Sequence, residues 1–311
     1  MRGRDADRTP TAYAAAALAA AICALALLAT PAPQGRAASL ELVAKLRQQP
    51  CPELALTRDR TYSNRDISLA LRGRFVIAGD RVKLKPKVNW FKNQNSSREF
   101  QEQLHSLRWL DVLFQAYREG NRQAILQARR LVVDWVEQNP LRQGRLTRRK
   151  PGKPNKPKPV PNMAWQNLVA GDRASYLGYA IRASACEGML PTRPARTLLE
   201  SVETHGNYLT SSDGYFESNH GLFTDLGLFL LADRYFPFMG QAAEWEALAR
   251  ERFPQTLAGR TSDSGFWLEH SADYHFLAIK LANTSPGCPA PDDRVPGLSA
   301  GLEDAAAGSL T

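Results

Sequence analysis

Two short stretches hold the residue types from which a reactive site is built. The first is Glu217-Ser218-Asn219-His220-Gly221-Leu222-Phe223 and the second is Glu269-His270-Ser271-Ala272-Asp273-Tyr274-His275. Asn219 lies where the polar turn Ser211-Ser212-Asp213-Gly214 hands over to an apolar segment, and Asn is a good N-cap. Ser271 and Asp273 are helix-start signals, with Tyr274 in the first turn of the helix they open. Each stretch taken alone also reads as nothing more than a capped helix start. Together they bring an amide, imidazoles and a phenol to two helix N-termini, whose partial positive charge favours an anion. Asn219, His220, His270, Tyr274 and His275 then form a polar cluster suited to an acidic sugar. Trp165, Tyr215, Phe266 and Trp267 offer faces for stacking sugar rings, or else belong to the core. His270 and His275 are five apart, which does not set two ligands on one helical face, so no metal is expected there; no organic cofactor is expected either. No G-x-S-x-G, G-x-x-x-x-G-K-[ST] or G-x-G-x-x-G occurs, which leaves serine-hydrolase, P-loop and dinucleotide chemistry unsupported.

Helices must position these groups. Apolar residues recur at helical spacing over Ser97–Tyr117 and Asn121–Val136, the latter stopped by Asn139-Pro140. Further helices are predicted over Trp165–Cys186, Thr192–His205, Asn219–Tyr235, Gly240–Phe253 and Ala272–Ala282. Strand is confined to Arg60–Val88, where Phe75-Val76-Ile77 and Val82-Lys83-Leu84 flank Gly79-Asp80 as a weak hairpin signal. Segment 221–236 is apolar almost all round and must be buried on most sides, whereas 241–253 shows solvent Glu244, Glu246, Arg250 and Glu251. Inner and outer helices thus alternate, as in a double ring of antiparallel helices, an all-α toroid. If 241–253 returns on the outside, the helices starting at 219 and 272 run parallel and their N-termini share one rim.

Composition bounds the rest. The chain has 311 residues, 43% of them hydrophobic and 23% charged, which excludes wholesale disorder, a collagen repeat or a coiled coil. The formal net charge is +9, and eight cations with no acid fall within Arg142–Lys158, kept extended by prolines. This is either a solvated loop or a basic arm that attracts a polyanion. Residues 1–38 read as a signal peptide or an N-terminal anchor, with Arg2, Arg4 and Arg8 ahead of an apolar run from Ala12 to Ala29. The expected location is periplasmic or secreted, so the polyanion this arm would meet is acidic polysaccharide or anionic lipid rather than nucleic acid. Contact with a membrane is expected only through an uncleaved N-terminus, and no protein partner is indicated. A Cys51–Cys186 bridge is allowed by an oxidising compartment but not demanded. Residues 39–96 form an extended, strand-containing segment, 97–282 the helical domain with its basic loop 142–161, and 283–311 an aromatic-free tail. That tail is expected to mark a chain cut or changed in frame, the alternative being a flexible terminus.

The Asn219-His220-Gly221-Leu222 helix start followed by His270-Ser271-Ala272-Asp273-Tyr274-His275 resembles the heparinase II/III-like polysaccharide lyases, which include heparin-sulfate and alginate lyases. Leu104-His105-Ser106-Leu107-Arg108-Trp109-Leu110 and Asp134-Trp135 resemble the N-terminal helical half of that family, and the likeness runs over roughly residues 85–282. It implies an incomplete α/α toroid and β-elimination of a uronate polymer. It further implies that Asn219 and His220 engage the uronate carboxylate and that Tyr274 transfers protons. His270, His275, Trp165 and Tyr215 are the expected substrate contacts. The family continues into more helices and a C-terminal β-sandwich that brings another catalytic His; residues 283–311 do not resemble these. Two rivals stand beside this reading. One is a fragment that binds acidic polysaccharide without cleaving it. The other is a hydrolase, which needs two facing carboxylates; Glu217, Asp225 and Glu269 are candidates with no evident pairing.

Overall fold

The computed structural model describes residues 34–54, 61–90, 97–141, 163–262 and 268. The chain divides into two units, Met1–Glu41 and Leu42–Thr311. Of the first, the described residues are the opening turns of α1 (Gln34–Gln48). The end of α1 and every other described element belong to the second. There, α2 (Asn64–Leu71) starts at a capping box in which Ser63 and Asp66 satisfy each other's backbone N–H groups. It leads into a two-stranded antiparallel hairpin, β1 (Arg74–Ile77) and β2 (Asp80–Lys83). Its turn is Ala78-Gly79, both at positive φ, the geometry that matches strand twist. Residues 39–96, expected to be extended with strands, therefore also hold the end of α1 and all of α2.

The remaining described residues are helical. α3 (Arg98–Ser106) and α4 (Asp111–Arg118) replace the single helix predicted over 97–117. Leu107 adopts a left-handed conformation, φ 60°, and breaks the helix, and a 3-10 turn, Arg108–Leu110, bridges the two parts. α5 (Arg122–Gln138) is capped by Asn121 and buries Ile125, Ala128, Leu131, Val132 and Trp135 along one face. α6 (Asn167–Cys186), α7 (Thr192–Thr210), α8 (Asn219–Phe229) and α9 (Ala242–Gly259) come next. A π-helical turn, Leu230–Tyr235, extends α8, and α9 runs through Pro254 because Thr256 and Leu257 beyond it are buried. Predicted helix 272–282, the basic loop 142–161, the tail 283–311 and residues 1–33 lie outside the described residues.

α6 is the hub. Every residue from Val169 to Ala185 is buried, and the helix packs against α3, α5, α7 and α8. Its approach to α8 is governed by glycine. A Cβ on Gly171 would stand 2.6 Å from the Phe223 carbonyl oxygen, and one on Gly227 would stand 2.1 Å from the Gly171 oxygen. Farther along, Gly178 lies against the Tyr235 ring. The pairings 171 with 223–227 and 178 with 235 fix α6 and α8 as parallel, with α7 between them in sequence. This is the inner–outer–inner alternation of an incomplete α/α toroid. Cys51 and Cys186 form a disulfide, the pairing that the sequence allowed.

Candidate active site

Because α6 and α8 are parallel and in backbone contact, their N-termini share one rim. Gln166 caps α6, its Oε1 accepting from the Val169 N–H at 3.0 Å. Ser218, rather than Asn219, caps α8: its extended backbone lets Oγ accept from the His220 N–H at 3.1 Å. Asn219 is instead the first helical residue, and it and His220 are half-buried. The His220 ring is held from across the rim, Nδ1 lying 3.4 Å from Gln166 Nε2 and 3.3 Å from Asn167 Oδ1. Asn167 Oδ1 also accepts from the Leu168 N–H at 2.8 Å. When Nδ1 accepts from Gln166, the neutral ring carries its proton on Nε2 and can donate from there. Two helix N-termini, two amides and an imidazole make a site that favours a carboxylate.

One turn below, the Arg108 guanidinium pairs with Asp172 of α6 and lies 5.5 Å from the Phe223 ring centre on α8. Deeper in the ring sits Arg173, fully buried among neutral partners. Its Nε donates to His205 Nε2 at 3.0 Å, one terminal nitrogen donates to the His105 carbonyl at 3.1 Å, and it lies 3.9 Å from the Trp135 ring centre. Burial lowers its pKa to about 9, still above neutrality, so a positive charge is fixed inside the helical ring. His205 donates from Nδ1 to the Ser201 carbonyl at 2.7 Å, and Trp135 donates to His105 Nδ1 at 3.1 Å. Both imidazoles are therefore held neutral: burial and then Arg173 push His105 down to about 3 and His205 well below its ordinary value.

Trp165, one residue before the Gln166 cap, is half-buried and packs in this interior, tilted against His205 at 4.6 Å and edge-on to Tyr208 at 5.3 Å between ring centres. Its indole donates to the Asn139 carbonyl at 2.9 Å. Tyr208 donates to the carbonyls of Trp165 and Asp213, tying together the segments that lead into α6 and α8. Tyr215 is on the α9 side: its hydroxyl is 2.7 Å from Thr256 Oγ1 and its ring lies 3.9 Å from the Arg252 guanidinium. The aromatic that this segment exposes is its neighbour Phe216, 62% accessible. The structure thus brings Asn219 and His220 to the rim and sets Trp165 directly beneath it. Tyr274, His270 and His275 lie outside the described residues. Of the carboxylates considered for hydrolysis, Asp225 is buried and ion-paired at 2.6 Å with Arg252, and burial raises it to about 7 against that pull. Gln166 and Asn167 escaped the sequence reading, although a polar pair opening an apolar helix at 166–167 mirrors the pair at 219–220.

A family model, the heparinase II/III N-terminus, matches residues 51–287. The chain belongs to this family. Among solved structures, heparan sulfate lyase HepC from Pedobacter heparinus superposes with a TM-score of 0.57 at 18% identity, over 80% of this chain and 39% of that one. Heparinase III superposes with a TM-score of 0.59 at 18% identity, again over 80% of this chain and 39% of that one. These likenesses concern the fold, and the chain spans about two fifths of the length of those structures. No curated protein gives a significant match.

Proposed function

We propose that this chain is the helical part of a polysaccharide lyase that cleaves a uronate-containing acidic polysaccharide, of heparan-sulfate or alginate type, by β-elimination. One observation carries the reading: the His220 ring is oriented by Gln166 and Asn167 at the paired N-termini of α6 and α8, beside Asn219. Removal of the C5 proton moves negative charge onto the uronate carboxylate. Donors already aimed at that carboxylate need no reorganisation as the charge grows, and one such donor is worth about 3 kcal/mol in comparable sites. Asn219 and His220 supply the donors. Tyr274, as phenolate, takes the C5 proton, and the resulting phenol returns it to the departing glycosidic oxygen. Such a base needs a positive setting, which imidazoles and helix N-termini would supply. The disulfide Cys51–Cys186 supports export to an oxidising compartment. Among the described residues no helix is long and apolar enough to cross a membrane.

Incubation with heparan sulfate, alginate and hyaluronan, followed by ultraviolet absorbance of the unsaturated uronate, tests the reading. New absorbance supports the lyase, and reducing ends without absorbance refute it in favour of hydrolysis. Salt-sensitive binding alone supports a second reading, a helical part that only holds the polymer, which the eight cations of Arg142–Lys158 favour.

A further inference from the structure

The hairpin carries a charge cluster that the rim does not use. Its register sets Arg74 opposite Lys83 and Val76 opposite Arg81. Burial alternates along β1, so Arg74 and Val76 face outward while Phe75 and Ile77 enter the core. Like charges directly opposite one another weaken a strand pair. Arg74, Arg81 and Lys83 on one face therefore favour a bound anion. Beside them lies a cavity of about 510 Å³, within the usual range for ligand pockets, between the hairpin, α2 and the 3-10 turn. Arg65 of α2 adds a fourth cation to its lining. Asp66, the acid of that lining, is bonded to Ser63 in the capping box of α2. Phe75 and Trp109, which also border the cavity, are core residues that meet edge to face with ring centres 4.7 Å apart. Arg65, Arg74, Arg81 and Lys83 around the cavity suit a ligand that bears several anionic groups.

One residue that lines the cavity adjoins, in sequence, the contacts below the rim. Trp109 borders the cavity, while Arg108, its neighbour on the same 3-10 turn, pairs with Asp172 of α6 and reaches the Phe223 ring of α8. We propose that this groove is an accessory site for a sulfate- or carboxylate-bearing oligosaccharide segment, away from the bond that is cleaved. The proposal rests on the polysaccharide reading above.

The test is equilibrium binding of the full chain to a heparan sulfate decasaccharide, a heparan sulfate disaccharide and an uncharged decasaccharide. Two variants are compared with wild type: the triple Arg74→Ser, Arg81→Ser, Lys83→Ser, and Val76→Asp, which adds an acid to the same face without removing a cation. Both variants are expected to bind the charged decasaccharide about tenfold more weakly at low salt, with a flatter salt dependence, because the lost contacts are screened ionic ones. The disaccharide is expected to keep its affinity, and far-ultraviolet circular dichroism to be unchanged. Unaltered decasaccharide affinity, an equal loss for the disaccharide, or tighter wild-type binding to single-stranded nucleic acid or anionic vesicles overturns the proposal. Failure of the lyase reading is a separate result: no unsaturated product from wild type, whatever the variants do to binding.

Discussion

Replacing Gly227 by Ala tests whether the rim depends on backbone contact between α6 and α8. The added Cβ would stand 2.1 Å from the Gly171 carbonyl oxygen, where ordinary contact begins at 3.4 Å, so the helices must part by roughly 1 Å. Overfilling a packed core costs about 1–3 kcal/mol. The upper end applies here, because the obstacle is the main chain of a buried helix and no side chain can swing aside. Alanine returns about 1 kcal/mol of helix propensity, leaving a net loss of about 2 kcal/mol. Urea unfolding of the full chain should show a lower midpoint with an unchanged slope. Gly240→Ala is the control: nothing lies within 4 Å of its Cβ, and it should stay within about 0.5 kcal/mol of wild type. The parting should also open the 3.3 Å contact between His220 and Asn167, shifting the His220 resonance in the folded protein. If Gly227→Ala matches the control in stability and leaves His220 unmoved, close crossing of α6 and α8 does not hold the rim.

Acid should destabilise the protein through its buried imidazoles. His105 titrates at about 3 when folded and about 6.5 when unfolded, so its contribution is complete above 6.5 and is lost as pH falls toward 3. At pH 5 this one group costs about 2 kcal/mol, and His205 acts in the same direction; equal unfolding free energies at pH 5 and 7.5 would contradict the buried neutral state. Reducing Cys51–Cys186, which closes a separation of 135 residues, should cost up to about 5 kcal/mol on the chain-entropy account, read by unfolding with and without reductant; no loss would show that the bridge does not constrain the unfolded chain. Gln166→Glu keeps a cap for α6 but gives His220 an anionic neighbour, so the His220 pKa should rise by nuclear magnetic resonance titration; an unmoved titration would show that Gln166 does not hold the ring.

What was legible in the sequence was what periodicity and caps encode locally. The apolar stripe of α5 and the all-round apolar character of α8 both appear in the fold as expected. The break at Leu107 was not legible: a leucine at φ 60° is dictated by packing, since its side chain is completely buried, and no glycine or proline marks the spot. α2 was missed because an eight-residue helix with one buried face resembles extended chain in its composition. At the rim, Asn219-His220 was visible as a polar pair at a helix start. Its partner pair was not, because Gln166-Asn167 meets His220 only when α6 lies parallel to α8. That juxtaposition depends on Gly171 and Gly227, residues whose role is to be small. Arg173 was hidden for a related reason. A cation in an apolar helix looks like a surface residue until its neighbours prove to be His105, Trp135, Trp165 and His205.

The parallel inner helices also bear on Tyr274 through their spacing. Asn167 and His220, which meet at the rim, are 53 residues apart. That interval contains one inner helix, one outer helix and their connections. A further repeat of the same length from His220 falls at position 273, beside Tyr274 in the second motif. In a ring of alternating helices, equal repeats return the chain to the same edge, so a third inner helix beginning there would present its first turn where α6 and α8 present theirs. A phenol at that edge would share the field of the same helix N-termini and lie close enough to His220 for each to alter the other's titration. Tyr274→Phe is therefore expected to abolish formation of unsaturated uronate while leaving helicity and polymer affinity nearly intact, and to shift the His220 titration. Wild-type turnover in this variant would remove Tyr274 from the chemistry. Lost turnover with an undisturbed His220 titration would keep the phenol in the reaction but place it away from the rim, against the equal repeat.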